Sequence, residues 1–97
     1  MILLSNHDVS KFRLLVEILE RSEDKRAMLL SDAVYFINTS ETESMIDELL
    51  KNGATFMALQ NDLTKRGLES TSQKINPIDY EGFVEQLLER RGGIINL

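Results

Sequence analysis

The sequence predicts an α/β fold: a three-layer α/β/α sandwich with a mostly parallel sheet of about five strands between helices. Three observations predict it. Short apolar runs of strand length alternate along the chain with longer stretches in which apolar residues recur at helical spacing. One of the short runs, Ala27-Met28-Leu29-Leu30, is apolar without interruption, as strands are when helices cover both faces of their sheet. At most junctions stands a residue that starts a helix, such as Asp8 or Asp79, or one that stops it, such as Gly53 or Gly67.

Ile2-Leu3-Leu4 reads as the first buried strand. Val9 to Arg21 follows as a helix, with Phe12, Leu15, Val16 and Leu19 on one face and Asp8 or Ser10 as its cap. Glu23-Asp24-Lys25 turns the chain into the second strand, Ala27 to Leu30. The next segment, Ala33 to Ile37, is ambiguous: Val34, Tyr35, Phe36 and Ile37 favour extended chain by propensity, but they lie where a helix should follow a strand. Ser40-Glu41-Thr42-Glu43 fits a capping box, which predicts a helix whose buried stripe is Met45, Ile46, Leu49 and Leu50 and which Asn52-Gly53 ends.

Thr55 to Leu59 is the third strand. Asp62 is expected to cap a brief helix over Leu63 to Arg66 that Gly67 terminates, and Glu69 to Gln73 is expected to be loop. Ile75 to Ile78 forms a fourth strand, placed at an edge or a strand end by Pro77, which has no N–H to give to a neighbour. Asp79 then caps a helix whose Tyr80, Phe83, Val84, Leu87 and Leu88 form its apolar stripe, stopped by Gly92-Gly93. Ile94 to Leu97 supplies the last strand. No internal repeat or linker interrupts the chain, and residues 1–97 read as one domain.

Eleven basic and sixteen acidic residues leave a formal net charge of -5, which opposes attraction to phosphate backbones and anionic membranes. Direct nucleic-acid binding is therefore not expected, and Lys65-Arg66 and Arg90-Arg91 read as solvated helix ends. The absence of cysteine excludes disulfides, thiolate metal sites and any persulfide carried by this chain. No basic leader precedes Ile2-Leu3-Leu4, and no apolar run approaches a membrane span, so a cytoplasmic location is expected.

In open α/β sheets ligands gather outside the carboxyl ends of the strands, where this sequence puts Asn6-His7-Asp8, Asp32, Asn61-Asp62 and Asp79. One imidazole with several carboxylates suits a divalent ion or acid–base chemistry. The plainer reading makes Asp8, Asp62 and Asp79 helix caps and His7 a hydrogen-bonded loop residue. A phosphate-cradling loop is not supported, because no glycine follows the first strand. A phospho-acceptor receiver domain would need a lysine late in the chain, and none follows Lys74.

Three segments together resemble a known family. Asp32-Ala33-Val34-Tyr35, the run from Ala58 to Leu68 with its A-L-x-x-D-L-x-x-R-G-L pattern, and Ile78-Asp79-Tyr80-Glu81-Gly82-Phe83-Val84 are similar, in residues, order and spacing, to the DsrH/TusB family of the DsrE/DsrF/DsrH-like superfamily. The resemblance implies a DsrEFH-like fold and a non-catalytic subunit in a cytoplasmic sulfur relay. In such a relay, DsrE-like and DsrF-like (TusD/TusC-like) subunits join it in a heterohexamer. Persulfide sulfur passes toward a DsrC/TusE-like carrier, and in the TusB branch it ends in 2-thiouridine at the tRNA wobble position.

Some relatives carry a cysteine on the first helix, near Glu17 here; this chain does not, which fits a role in completing an assembly. It also has Ala33 where relatives often have glycine and Leu97 where many end in tryptophan. The resemblance makes Asp32, Asp62, Arg66 and Tyr80 the candidate interface residues, with Arg66 preferred, and no catalytic residue, cofactor or metal is expected. The alternative is a stand-alone homo-oligomer, a homodimer for instance, that binds a small ligand at the carboxyl edge of the sheet.

Overall fold

The computed structural model describes residues 1–68, 74–89 and 93–97. The elements run β1 (Ile2–Leu4), α1 (Val9–Arg21), β2 (Arg26–Leu29), a 3₁₀ segment (Ser31–Asn38), α2 (Ser40–Lys51), β3 (Thr55–Leu59), α3 (Gln60–Lys65), β4 (Ile75–Ile78), α4 (Tyr80–Leu88) and β5 (Ile95–Asn96). The five strands form one sheet in the order β4-β3-β2-β1-β5, and every pairing is parallel. The predicted alternation is thus the observed one. The expected loop from Glu69 to Gln73, the pair Arg90-Arg91 and Gly92 lie outside the described residues.

Strand alternation divides the core in two. Ile2, Leu4, Ala27, Leu29, Phe56, Ala58 and Ile75 face one side, where Phe12, Leu15 and Leu19 of α1 and Ile46 and Leu49 of α2 pack on them. The opposite side is a smaller core of Met1, Met28 and Met57, bordered by Leu3, Leu30, Leu59 and Ile78 and covered by Phe83 and Leu87 of α4. Among the described helices α4 alone covers this face, whereas α1, α2 and Leu63 of α3 pack on the other. Each fully buried Leu, Ile or Phe contributes about 1.5–3 kcal/mol, so the α1/α2 side holds most of the apolar stabilisation.

Local signals placed several boundaries. Asp8 accepts hydrogen bonds from the backbone N–H groups of Ser10 and Lys11, at 2.9 and 3.4 Å, and Asp79 accepts one from Gly82 N at 2.7 Å. Gly53 closes α2 at φ +91°, a conformation that costs a residue with a Cβ about 1–2 kcal/mol. Gly53→Ala is accordingly expected to lower stability by about that amount, and equilibrium urea unfolding will measure it. Pro77 lies on β4, an edge strand, as its missing N–H requires.

Three expectations need correction. Ser40 is not a cap: Thr39 holds that position without a side-chain capping bond, its hydroxyl turned back to donate to Tyr35 O at 2.7 Å, and the Glu43 carboxylate meets Lys74 instead. Asp62 does not cap α3 either. β3 runs into the helix without a loop, so Leu59 takes the cap position and Asp62 falls inside the first turn. The apolar stripe of α4 is only partly core: Phe83 and Leu87 pack inward, whereas Tyr80 and Leu88 are each 72% exposed.

Candidate functional site: the carboxyl rim of the sheet

Because all strands are parallel, the chain leaves β1, β2, β3 and β4 at one edge of the sheet. After β2 it turns sharply. Ser31 takes φ +50°, in the left-handed region, and its N–H donates to Asp62 Oδ2 at 2.9 Å. A charge-assisted bond of this kind offsets part of the conformational cost of about 1–2 kcal/mol for a non-glycine residue in that region. Asp62 therefore orders the neighbouring turn rather than its own helix.

Arg66 closes the same cluster from the C-terminal end of α3. Its Nε and Nη2 donate to Asp32 Oδ1 at 3.2 and 3.0 Å, and Nη1 donates to the Asp62 carbonyl at 3.2 Å, with Asp62 Oδ1 at 3.6 Å. The guanidinium carbon lies 5.8 Å from the centre of the Tyr35 ring. With its side chain 19% exposed, Arg66 bridges the ends of β2 and β3 as a clamp. Since Asp32 is mostly in solvent, the outer ion pair contributes no more than about 1 kcal/mol.

His7 forms a second link. Thr39 spends its single hydroxyl hydrogen on Tyr35 O, so the 2.9 Å contact with His7 has Nε2–H as donor and Thr39 Oγ1 as acceptor. The imidazole also lies against Phe36, with ring centres 4.4 Å apart. This is the hydrogen-bonded loop histidine that the sequence suggests. Among the described residues, no three His, Asp or Glu side chains gather closely enough to hold a metal ion.

The structure thus brings Asp32, Asp62 and Arg66 together and sets Tyr80 apart. Tyr80 opens α4 beyond β4, where it lines a cleft of about 370 Å³ with Leu59, Gln60, Asn61, Thr64 and Asp79. Sequence reasoning missed Ser31 and Tyr35 as members of the rim. Tyr35 lies in the segment whose conformation the sequence leaves ambiguous; the 3₁₀ turn, with about three residues per turn, puts it one turn after Asp32.

The most perturbed ionisable groups lie elsewhere, at the amino edge. Arg26, 5% exposed, forks onto Asp24 through Nε and Nη2, both at 2.8 Å, and also donates to Gln86 O and Glu89 O. The Met1 amino group donates to the same carboxylate at 2.8 Å. Hydrogen bonding from Arg26, against the opposing effect of burial, holds the Asp24 carboxyl far below the usual carboxylate range. All the partners are internal, so this network reads as architecture rather than as a reactive centre.

Comparison with known proteins agrees with the geometry. The crystal structure of the ychN protein from E. coli matches with a TM-score of 0.78 over 99% of this chain and 97% of that chain, at 14% sequence identity, a level at which the likeness concerns the fold. No curated protein matches the sequence. A family model described as DsrH like protein matches residues 5–92. With its five-stranded parallel sheet and that match over nearly its whole length, the chain belongs to the DsrH-like family.

Proposed function

We propose that this chain is a non-catalytic subunit of a cytoplasmic sulfur-relay complex, which it completes together with DsrE-like and DsrF-like subunits, and that the relay feeds 2-thiouridine synthesis at the tRNA wobble position. The observation that carries the reading is a DsrH-like chain without a cysteine. Family membership implies involvement in sulfur relay. A persulfide forms by thiolate attack and needs a sulfur nucleophile, which none of these 97 residues supplies. Sulfur must then ride on partner thiols, and this subunit's contribution is shape and contact.

The test is co-expression with the DsrE-like and DsrF-like subunits, size-exclusion chromatography, and intact-mass analysis after exposure to a sulfane-sulfur donor. A mixed complex with added sulfur on a partner cysteine, and none on this chain, is the expected result. Sulfur bound covalently to this chain, or turnover by the chain alone, would falsify the reading. A clean homodimer that ignores both subunits would favour the stand-alone ligand-binding alternative, to which the cleft beside Tyr80 lends support.

Arg66→Glu is expected to weaken this assembly about tenfold, since an arginine at an interface rim acts through charge complementarity. The clamp gives the same change a cost in stability, because it sets a third carboxylate beside Asp32 and Asp62; about 1 kcal/mol is expected from thermal melts. Unchanged assembly would remove Arg66 from the interface.

A further inference from the structure

α4 carries apolar side chains that its own sheet does not use. Phe83 and Leu87 reach the methionine core, whereas Tyr80, Val84 and Leu88, at i, i+4 and i+8, form a separate row along the helix shoulder. Val84 is half-buried, and Tyr80 and Leu88 are among the most exposed large apolar residues described. The row begins at the cleft that Tyr80 shares with Gln60, Asn61, Thr64 and Asp79.

Charge narrows the choice of occupant. Glu81 and Glu85, both exposed, form the next row around the helix, and no Lys or Arg occurs from Tyr80 to Leu88. A second copy related by a two-fold axis would set these acidic rows against each other, on a chain whose net charge is already -5. A different protein with an apolar ridge bordered by Lys or Arg would meet them with opposite charge. Asp79 adds to the preference: its Oδ1 takes the Gly82 N–H, and the carboxylate, exposed beside the Tyr80 ring, suits a basic side chain whose stem crosses that ring.

We propose that the Tyr80–Val84–Leu88 shoulder of α4, with the cleft at its head, docks a partner protein through an apolar ridge bordered by basic residues. This deepens the subunit reading and rests on it, since it assigns a surface, apart from the Arg66 cluster, through which the complex forms.

The experiment uses the full chain co-expressed with the DsrE-like and DsrF-like subunits, comparing wild type, Leu88→Lys and the pair Glu81→Lys with Glu85→Lys. Both variants change exposed positions, and circular-dichroism melts of the isolated proteins should show each folded, with only a small fall in Tm for the pair that puts a lysine in the first turn of α4. The expected result is at least a tenfold rise in the Kd for assembly in each, with Glu81→Gln plus Glu85→Gln flattening its salt dependence. If wild type and both variants assemble equally well, the docking surface is elsewhere and the subunit reading stands. If wild type joins neither subunit, the subunit reading falls and takes this surface with it. A wild-type homodimer that Leu88→Lys dissolves, with hetero-assembly unaffected, would overturn the choice of occupant.

Discussion

Asp24→Asn is expected to lower the unfolding free energy by about 3 kcal/mol, within the range found when one partner of a buried ion pair is removed. Arg26 and the Met1 amino group both direct charge at this carboxylate from positions out of solvent, with side-chain exposures of 6% and 1%. An amide keeps the shape and loses the counter-charge, which leaves the guanidinium dependent on Gln86 and Glu89. For a domain of this size that corresponds to a fall in Tm of about 12–24 °C.

Acid should shrink the difference between the two proteins. Because the folded-state pKa is depressed, the carboxylate's contribution is fully present above its unfolded value of about 3.9 and is lost as pH falls from there toward the folded value. The stability gap between wild type and Asp24→Asn should hold from pH 7 to 5 and narrow below about pH 4. Urea unfolding at stepped pH measures it. A gap that widens in acid would reverse the assigned sign.

The second large effect is expected at Phe36. Its ring is fully buried and tilted against Phe12 at 4.6 Å, with His7 on it at 4.4 Å, and its carbonyl accepts from Thr42 Oγ1 and Thr39 N. Phe36→Ala should cost about 3–5 kcal/mol through lost burial and the cavity left behind. The loss is also positional. The 3₁₀ segment that presents Asp32 and Tyr35 to the rim is pinned to the core by this ring, so limited proteolysis should cut within Ser31–Asn38 sooner in the variant. Phe36→Leu, which keeps most of the volume, should recover all but about 1 kcal/mol. If Phe36→Ala proves as stable as wild type, the segment is anchored by something other than its aromatic contact.

Strands, helices and their alternation were legible because they depend on local pattern. Thr55–Leu59 and Val9–Arg21 have the bounds that spacing and caps suggest. The misreadings share another cause. Ser40, Glu43 and Asp62 are polar residues near helix starts, where a cap is the economical reading; instead Thr39, tied back to the 3₁₀ segment, takes the cap position before Ser40, and Glu43 and Asp62 are engaged by neighbours remote in sequence. Nothing in the local pattern singles out Arg26, whose partners Gln86 and Glu89 lie 60 and 63 positions away. The α4 pattern over-counted the core because periodicity reports which face is apolar, not how much sheet exists to receive it. The candidate site was half legible: Asp32, Asp62 and Arg66 converge, but only the turn at Ser31 explains why.

The pairing of β1 with β5 has a kinetic side. Ile2 aligns with Ile95 across nearly the whole chain length, and β5 pairs over a short register, Ile2 with Ile95 and Leu3 with Asn96, its backbone bonds including Ile95 N to Met1 O and Leu97 N to Leu3 O. Contacts of such sequence separation form late in folding and, being few, open first. Deuterium should therefore enter the Ile95 and Leu97 amides well before those of β2, through brief excursions that leave the carbonyls of β1 as a bare, adhesive margin. Strand-to-strand association between molecules at high concentration is expected to use that margin when it opens.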